Sequence, residues 1–273
     1  MRLGFIGTGT ITRAIVAGLC RSTDRSLEIW LSPRNAEVAA HLARQFSCVR
    51  VAVSNQEVVD GADMLVLAVR PQDAFSALSG LRFNSSQRVV SLIATLSYET
   101  LLPVIAPAKS LTLAAPLPTV EYGRGPTAIF PPSAEAERLF SAISVPVQVE
   151  QQTQFQALFA CTAEMASYFK LLQTCAEFLE HRGLAQTDAE RYVAALFDAL
   201  GHTAVESVAR SFQELVQDHM TKGGLNEQVY SELCHEGVFA VHAKSLTNIL
   251  ARIEAAGIAG REIMQSVRSF KER

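Results

Sequence analysis

The sequence has no excess of charge of either sign and no uninterrupted apolar run of membrane-spanning length. Its 24 basic and 27 acidic side chains leave a formal net charge of -3, which argues against the basic surface of a nucleic-acid-binding domain and the polybasic patch of a membrane-surface protein. Charged residues or prolines interrupt every apolar stretch before it could cross a bilayer. We therefore expect no nucleic-acid partner and no membrane partner, and a small molecule as the substrate.

Paired metal ligands and paired cysteines are also missing. The 6 histidines show no i, i+4 pair and no cysteine at zinc-ligand spacing, which predicts no metal site. The 5 cysteines are odd in number and scattered along the chain, and a fold that begins at Arg2 leaves no room for a signal peptide. This pattern predicts a reducing, cytoplasmic location.

A glycine turn near the start of the chain is the most informative feature that is present. Gly7 and Gly9 follow an apolar strand that begins at residue 2, and a helical pattern runs over 11–19. The first glycine permits a tight strand-to-helix reversal, and the second lets the backbone approach a pyrophosphate at the helix N-terminus. A second strand over 27–31 completes a βαβ unit, although Thr12 stands where the fingerprint prefers Gly or Ala. The pattern predicts a dinucleotide-binding turn; the alternative is a pair of ordinary turn glycines.

The residues that close the second strand indicate which dinucleotide fits. A site for NAD usually has Asp or Glu here to bind the ribose diol, but this chain has Ser32, Arg34 and Asn35 and no acid. The planar cation of Arg34 suits a phosphate, so the sequence predicts NADP (NADPH) as the cofactor. The alternative is that Arg34 is a solvated loop residue.

The chain divides into an α/β half and a helical half. Strands predicted at 48–53, 64–69, 89–94, 110–114, 127–130 and 145–149 alternate with helical stretches, which predicts a parallel sheet covered on both faces. Five prolines and two glycines between residues 116 and 132 predict an irregular crossing between two late strands. We therefore expect a Rossmann-type domain over 1–152 and an all-α domain over 153–273.

The second half is predicted to contain only helices. One helix is expected over 155–181 with Gly183 as its C-cap, and a capping box from Thr187 to Glu190 is expected to open the next. Further helices are predicted over 212–220, 226–235, 239–255 and 260–270. The apolar periodicity exceeds what one monomer core uses, so a homodimer through these helices is expected; the alternative is a self-contained bundle.

Four local signatures occur in an order and spacing that match one known family across nearly the whole chain. They are Gly4-Phe5-Ile6-Gly7-Thr8-Gly9, Val69-Arg70-Pro71-Gln72, Gly123-Arg124-Gly125-Pro126-Thr127-Ala128-Ile129-Phe130 and Thr221-Lys222-Gly223-Gly224. Together they resemble the pyrroline-5-carboxylate reductase family. The resemblance implies a Rossmann domain that binds NADPH, a helical domain that forms the dimer, and an active site between them where hydride reduces a cyclic imine to proline.

The resemblance also implies roles for individual residues. It places the pyrophosphate at Gly7, Thr8, Gly9, Thr10 and Ile11, the 2′-phosphate at Ser32 and Arg34, and the border of the cofactor at Val69, Arg70 and Pro71. It places the substrate at Gly223, Gly224, Leu225 and Asn226. Glu164 and Asn226, two positions at which the chain departs from the family, are the candidate catalytic residues.

Departures from the family pattern concentrate at the substrate end. Leu117 replaces the asparagine of a Met-Pro-Asn-Thr-Pro segment, and Leu225 and Asn226 replace a threonine pair. Glu164 lies where the family has small residues in a Ser-Gly-Ser-Gly-Pro-Ala-Tyr run. A carboxylate there would repel an anion, and it can act as a proton donor or bind a substrate amine. The alternative is a solvated residue paired with Lys222 or Lys170.

Three functions are therefore compatible with the sequence. The first is NADPH-dependent reduction of 1-pyrroline-5-carboxylate to L-proline. The second is reduction of another imine or keto acid on the same scaffold, which Leu117, Glu164 and Asn226 favour. The third is a non-catalytic, dimeric dinucleotide-binding redox sensor, because a fold alone does not establish catalysis.

Overall fold

The structure is a computed structural model that describes residues 1–22, 27–93 and 95–271. The chain forms two compact units, one made of residues 1–160 together with the chain from 250 onward, the other of residues 161–249. The assignment of cofactor binding to residues 1–152 and of dimerisation and substrate binding to residues 153–273 stays a prediction.

The first unit is built on an eight-stranded sheet. Its strands are β1 Arg2–Ile6, β2 Glu28–Leu31, β3 Val49–Val51, β4 Met64–Leu67, β5 Arg88–Ser91, β6 Ser110–Pro116, β7 Pro126–Phe130 and β8 Val145–Gln148. Their order in the sheet is β3-β2-β1-β4-β5-β6-β7-β8. Six of the neighbouring pairs are parallel, and β6 pairs with β7 antiparallel. The predicted α/β class is confirmed, with this one antiparallel pair as the departure from an all-parallel sheet.

Helices lie on both faces of this sheet because successive strand residues point to opposite sides. The helices are α1 Thr10–Arg21, α2 Ala36–Gln45, α3 Asn55–Gly61, α4 Pro71–Leu78, α5 Tyr98–Leu101, α6 Ala134–Ser141 and α7 Gln152–Cys161. Leu3 and Phe5 of β1 pack with α1, α2 and α6 in one core cluster. Ile6 packs with α3, α4 and α5 in the other. The central strands are thereby buried on both faces.

The proline-rich crossing between β6 and β7 contains one short ordered turn. Residues Pro118–Tyr122 form a 3-10 helix, and Gly123 ends it in the left-handed region at φ +68°. Because β7 returns antiparallel to β6, the connection needs no crossover helix. The irregular crossing predicted here is therefore confirmed apart from this single turn.

The helices that follow include most of those predicted. They are α8 Met165–Glu180, α9 Gln186–Glu206, α10 Phe212–Asp218, α11 Leu225–His235 and α12 Val238–Lys271. A 3-10 turn at Thr162–Glu164 separates α7 from α8, so the single helix predicted over 155–181 is wrong. The two helices predicted over 239–255 and 260–270 are one helix, because its internal glycines cost only about 1 kcal/mol each.

The capping box predicted at Thr187 is also wrong. Helix α9 starts at Gln186, with Ala185 as an N-cap that makes no side-chain hydrogen bond. Thr187 therefore lies inside the first turn. A capping box does occur at the start of α10, where the Ser211 hydroxyl accepts from the amide of Glu214 and the Glu214 carboxylate accepts from the amide of Ser211.

Within the described part of the chain, no helix combines the length and the hydropathy needed to cross a bilayer.

Candidate functional site

The two glycines of the first turn have different surroundings. Gly7 has φ +102°, and a Cβ built on it would lie 2.4 Å from the carbonyl oxygen of Ala68. Only glycine fits there, because the conformation disfavours a side chain and Ala68, which follows β4, leaves no space for one. Around Gly9, by contrast, no heavy atom of the described residues lies within 4 Å of a built Cβ. The backbone at Gly9 is therefore accessible to a ligand.

Hydroxyl groups hold this turn in shape. Thr12 is fully buried, and its Oγ1 donates to the carbonyl oxygen of Gly7 at 2.7 Å. Thr8 Oγ1 donates to the carbonyl oxygen of Ser32 at 2.9 Å. Thr12, which departs from the Gly or Ala of the fingerprint, thus has a satisfied hydroxyl and stabilises the turn instead of disturbing it.

Ser32 belongs to the same network. Its Oγ accepts from the Gly7 amide at 2.9 Å and lies 3.2 Å from Thr8 Oγ1, and the residue is 1% exposed. The hydroxyl predicted to contact a 2′-phosphate is therefore engaged in joining the turns after β1 and β2. Arg34, with a side chain that is 56% exposed, is the accessible group of this predicted pair.

Helix α1 presents an uncapped N-terminus at this turn. Gly9 is its N-cap and makes no side-chain hydrogen bond there, and the first turn contains no acidic residue. Thr10 and Ile11 begin the helix, so their amides lie at its positive end. Free amides and the helix dipole both favour a bound anion at this position.

The loop after β4 lies next to the same turn. Val69 Cγ1 lies 2.9 Å from the position of a Cβ built on Gly7, and Pro71 starts α4 with Arg70 as its N-cap. Because β2, β1 and β4 are neighbours in the sheet, the loops that follow them meet at one carboxyl edge. The ten residues predicted to bind the cofactor all lie in these three loops or in the first two residues of the helix that follows, and this edge is where doubly wound sheets bind ligands.

Two of the predicted cations share one carboxylate. Arg34 Nη2 lies 3.2 Å from Asp73 Oδ1, and Arg70 Nε lies 2.8 Å from Asp73 Oδ2. The Arg70 hydrogen bond, followed by that from Arg34, lowers the pKa of Asp73 below its usual value against the opposing effect of desolvation. The carboxylate is therefore ionised at neutral pH.

In the second unit, Glu164 has two partners. Its Oε1 lies 3.0 Å from His242 Nε2 on α12, and its Oε2 accepts from Ser167 Oγ at 2.9 Å. Lys170, one of the partners considered from the sequence, instead pairs with Glu177 at 3.9 Å. Glu164 is thus held by two residues of its own unit.

The glycine loop before α11 is closed by its own hydrogen bonds. Gly223 has φ +74°, its amide donates to Glu227 Oε2 at 2.5 Å, and the Gly224 amide donates to the carbonyl oxygen of Thr221 at 2.8 Å. Asn226 Nδ2 donates to the carbonyl oxygen of His219 at 3.1 Å. Leu225, the first residue of α11, is 83% exposed. The loop has the expected turn form, and the roles of these residues toward a substrate stay predictions.

Two residues at these sites were not identified from the sequence. Asp73 carried a recognisable signal, because it lies three residues after Arg70 in the first turn of a helix, where acids are favoured. His242 carried none: its partner is 78 positions away, and only the fold brings the two together.

Comparisons with known proteins agree with the geometry of the first unit. A family model described as "NADP oxidoreductase coenzyme F420-dependent" matches residues 2–95. Pyrroline-5-carboxylate reductase of Haemophilus influenzae is 29% identical over 182 residues, which are 62% of this chain and 65% of that protein. The Vibrio alginolyticus reductase of the same name is 24% identical over 93% of this chain and 96% of its own.

A solved structure has the same fold along nearly the whole chain. The 1-pyrroline-5-carboxylate reductase of Streptococcus pyogenes superposes with a TM-score of 0.80 at 20% identity, covering 93% of this chain and 98% of its own. At this identity the superposition supports the fold, and the chemistry has to be argued from the residues.

Proposed function

We propose that the chain, which is similar to pyrroline-5-carboxylate reductases, is a divergent member of that family and an NADPH-dependent reductase of a cyclic imine. The proposed reaction is hydride transfer to the C=N bond of 1-pyrroline-5-carboxylate, which gives L-proline. The observation that carries the proposal is the turn after β1, where the surroundings exclude a side chain at Gly7 and leave the backbone at Gly9 open.

The residues of the first unit fit a bound dinucleotide. The amides at the start of α1 would hold the pyrophosphate, with no acid in the first turn to repel it. Arg34 would bind the 2′-phosphate through its exposed guanidinium. Val69, Arg70 and Pro71 would border the bound cofactor. When bound, the reduced nicotinamide supplies the hydride.

The proposed reaction does not require a strong general acid from the protein. A cyclic imine can bind already protonated, so an orienting group and an anchor for its carboxylate suffice. The backbone amides of Leu225 and Asn226 would supply the anchor at the start of α11, and Gly223 and Gly224, whose amides donate within the loop, would set its shape. Glu164, paired with His242, would orient the protonated imine nitrogen through its carboxylate.

A second candidate function is reduction of another imine or a keto acid. The Glu164–His242 pair favours it, because a carboxylate opposes a substrate anion and suits a substrate amine. Leu117 favours it as well, since its side chain cannot donate the hydrogen bond of the asparagine that it replaces. On both proposals the protein works as a homodimer through its helical unit.

The test is NADPH oxidation by the full-length protein with 1-pyrroline-5-carboxylate and, in parallel, with a panel of uncharged cyclic imines, amine-bearing imines and keto acids. We expect turnover with 1-pyrroline-5-carboxylate and a product that co-elutes with proline. Turnover only with other members of the panel would favour the second function. NADPH binding without turnover on any compound would contradict both and support a non-catalytic sensor.

A further inference from the structure

Arg34, the arginine predicted to bind the 2′-phosphate, forms an ion pair with Asp73 from a different segment of the chain. Arg34 follows β2, whereas Asp73 lies in the first turn of α4, after β4, and the two are joined at 3.2 Å. Asp73 is only 19% exposed, against 56% for the Arg34 side chain. A half-buried carboxylate therefore fixes the free end of an arginine that is otherwise mostly in solvent.

Asp73 uses its two oxygens on two different cations. Oδ1 accepts from Arg34, and Oδ2 accepts from Arg70 at 2.8 Å. The three groups together carry one net positive charge. Arg70 thus offsets the carboxylate, and the positive charge of Arg34 remains for an incoming anion.

The contact leaves most of the Arg34 guanidinium available. A guanidinium has five N–H donors in a rigid fork, and Asp73 accepts from only one nitrogen, Nη2. A phosphate can therefore bind the remaining donors while Asp73 keeps its own hydrogen bond. Asp73 therefore orients the Arg34 guanidinium and leaves its other N–H donors available to a phosphate.

We infer that Asp73 is a positioning residue that sets the preference for a dinucleotide with a 2′-phosphate by holding Arg34 in place. This inference rests on the proposed NADPH-dependent function. Ordering a long exposed side chain on binding lowers affinity by about tenfold or less, and here the protein orders it beforehand. The opposing repulsion between Asp73 and the phosphate is offset by Arg70, which lies 2.8 Å from Asp73 Oδ2.

The experiment compares the full-length protein with Asp73→Asn. Trp30, the chain's single tryptophan, lies on β2 two residues before Ser32, so its fluorescence can report binding. Four ligands are titrated: NADPH, NADH, adenosine 2′,5′-bisphosphate and AMP. We expect Asp73→Asn to weaken NADPH and the bisphosphate about fivefold and to leave NADH and AMP unchanged. Asp73→Glu, which keeps the charge, should recover part of the loss.

The matched control is Asp188→Asn. Asp188 is an exposed carboxylate that pairs with Arg191 at 2.8 Å, so it undergoes the same chemical change far along the chain from β2 and β4. All four affinities should stay as in the wild type. Thermal unfolding midpoints of the three variants establish that each is folded.

The outcomes separate the inference from the function on which it rests. An Asp73→Asn variant that loses NADPH and NADH equally, or that binds NADPH as well as or better than the wild type, overturns the positioning role. A wild type that binds both dinucleotides equally also overturns it. A wild type that binds neither dinucleotide overturns the proposed function itself.

Discussion

At the residue scale, alanine substitutions at Gly7 and Gly9 should have different effects on stability and NADPH binding, although only one residue separates the two positions. Gly7→Ala would place a Cβ 2.4 Å from a backbone oxygen at a positive φ, which should cost roughly 2 kcal/mol or more of stability. Gly9→Ala meets no neighbour and should cost about 1 kcal/mol or less as an N-cap change, yet it should weaken NADPH binding at least about tenfold by blocking the pyrophosphate.

Urea denaturation and NADPH titration of the two variants check this pair. Gly7→Ala serves as the control for damage to the fold, since its loss of binding should follow its loss of stability. A Gly9→Ala variant that binds NADPH like the wild type would mean that the pyrophosphate does not lie against this turn.

The individual residues differ in how far sequence reasoning could place them. The glycine turn was predictable, because its sequence signal, two glycines between an apolar strand and a helical pattern, is contained in consecutive residues. The hydrogen bond from the Gly7 amide to Ser32 Oγ was not, since it joins residues 25 positions apart and depends on the pairing of β1 with β2. The same holds for Arg34 and Asp73, which are 39 positions apart.

At the scale of elements, α1 is packed tightly against the 3-10 turn that follows β6. A Cβ built on Gly18 would lie 2.3 Å from the carbonyl oxygen of Val120. In the same contact, Arg13 Nη2 lies 3.0 Å from Glu121 Oε2, and Arg21 Nη1 lies 3.6 Å from Glu121 Oε1. The helix that begins at the glycine turn therefore also positions the segment that carries Leu117.

Gly18→Ala should push this 3-10 turn away from α1. Forcing an extra carbon into a packed contact typically costs about 1–3 kcal/mol, so the free energy of unfolding in urea should fall by that amount. Gly201→Ala is the matched control: no heavy atom of the described chain lies within 4 Å of its built Cβ, and alanine in a helix is favoured by up to about 1 kcal/mol. Equal effects of the two substitutions would contradict the tight contact.

Most helices and strands could be predicted from the periodicity of apolar residues, and each wrong prediction has a local cause. The strands of the sheet were predictable, because buried parallel strands are short runs of branched apolar residues between helices. The break at Thr162–Glu164 was not, since residues 155–181 keep helical spacing through it. The Ser/Thr-x-x-Glu pattern occurs at both Thr187 and Ser211. It forms a capping box only at Ser211, because that residue is the N-cap of its helix, whereas Thr187 lies inside the first turn.

At the scale of the whole molecule, the second unit leaves many large apolar side chains exposed and has a small buried core. Its buried core consists of Ala176, Ala189 and Val193. Along α9, the residues at i, i+4 and i+8 form an exposed apolar stripe made of Tyr192 at 62%, Leu196 at 43% and Leu200 at 48% exposure. Such a stripe is typical of a surface that a partner covers in water, and a second copy of the chain in a two-fold arrangement would supply that partner.

We therefore expect a dimer in sedimentation velocity experiments and a monomer for Leu196→Glu. A charge buried in the centre of an apolar interface should raise the dimer dissociation constant at least about 100-fold. Val53→Glu is the control, because Val53 is 86% exposed and belongs to the first unit; it should stay dimeric. If the wild type sediments as a monomer at micromolar concentrations, the stripe on α9 is not a self-association surface. If instead Leu196→Glu remains a dimer, the two copies meet through a different face of the helical unit.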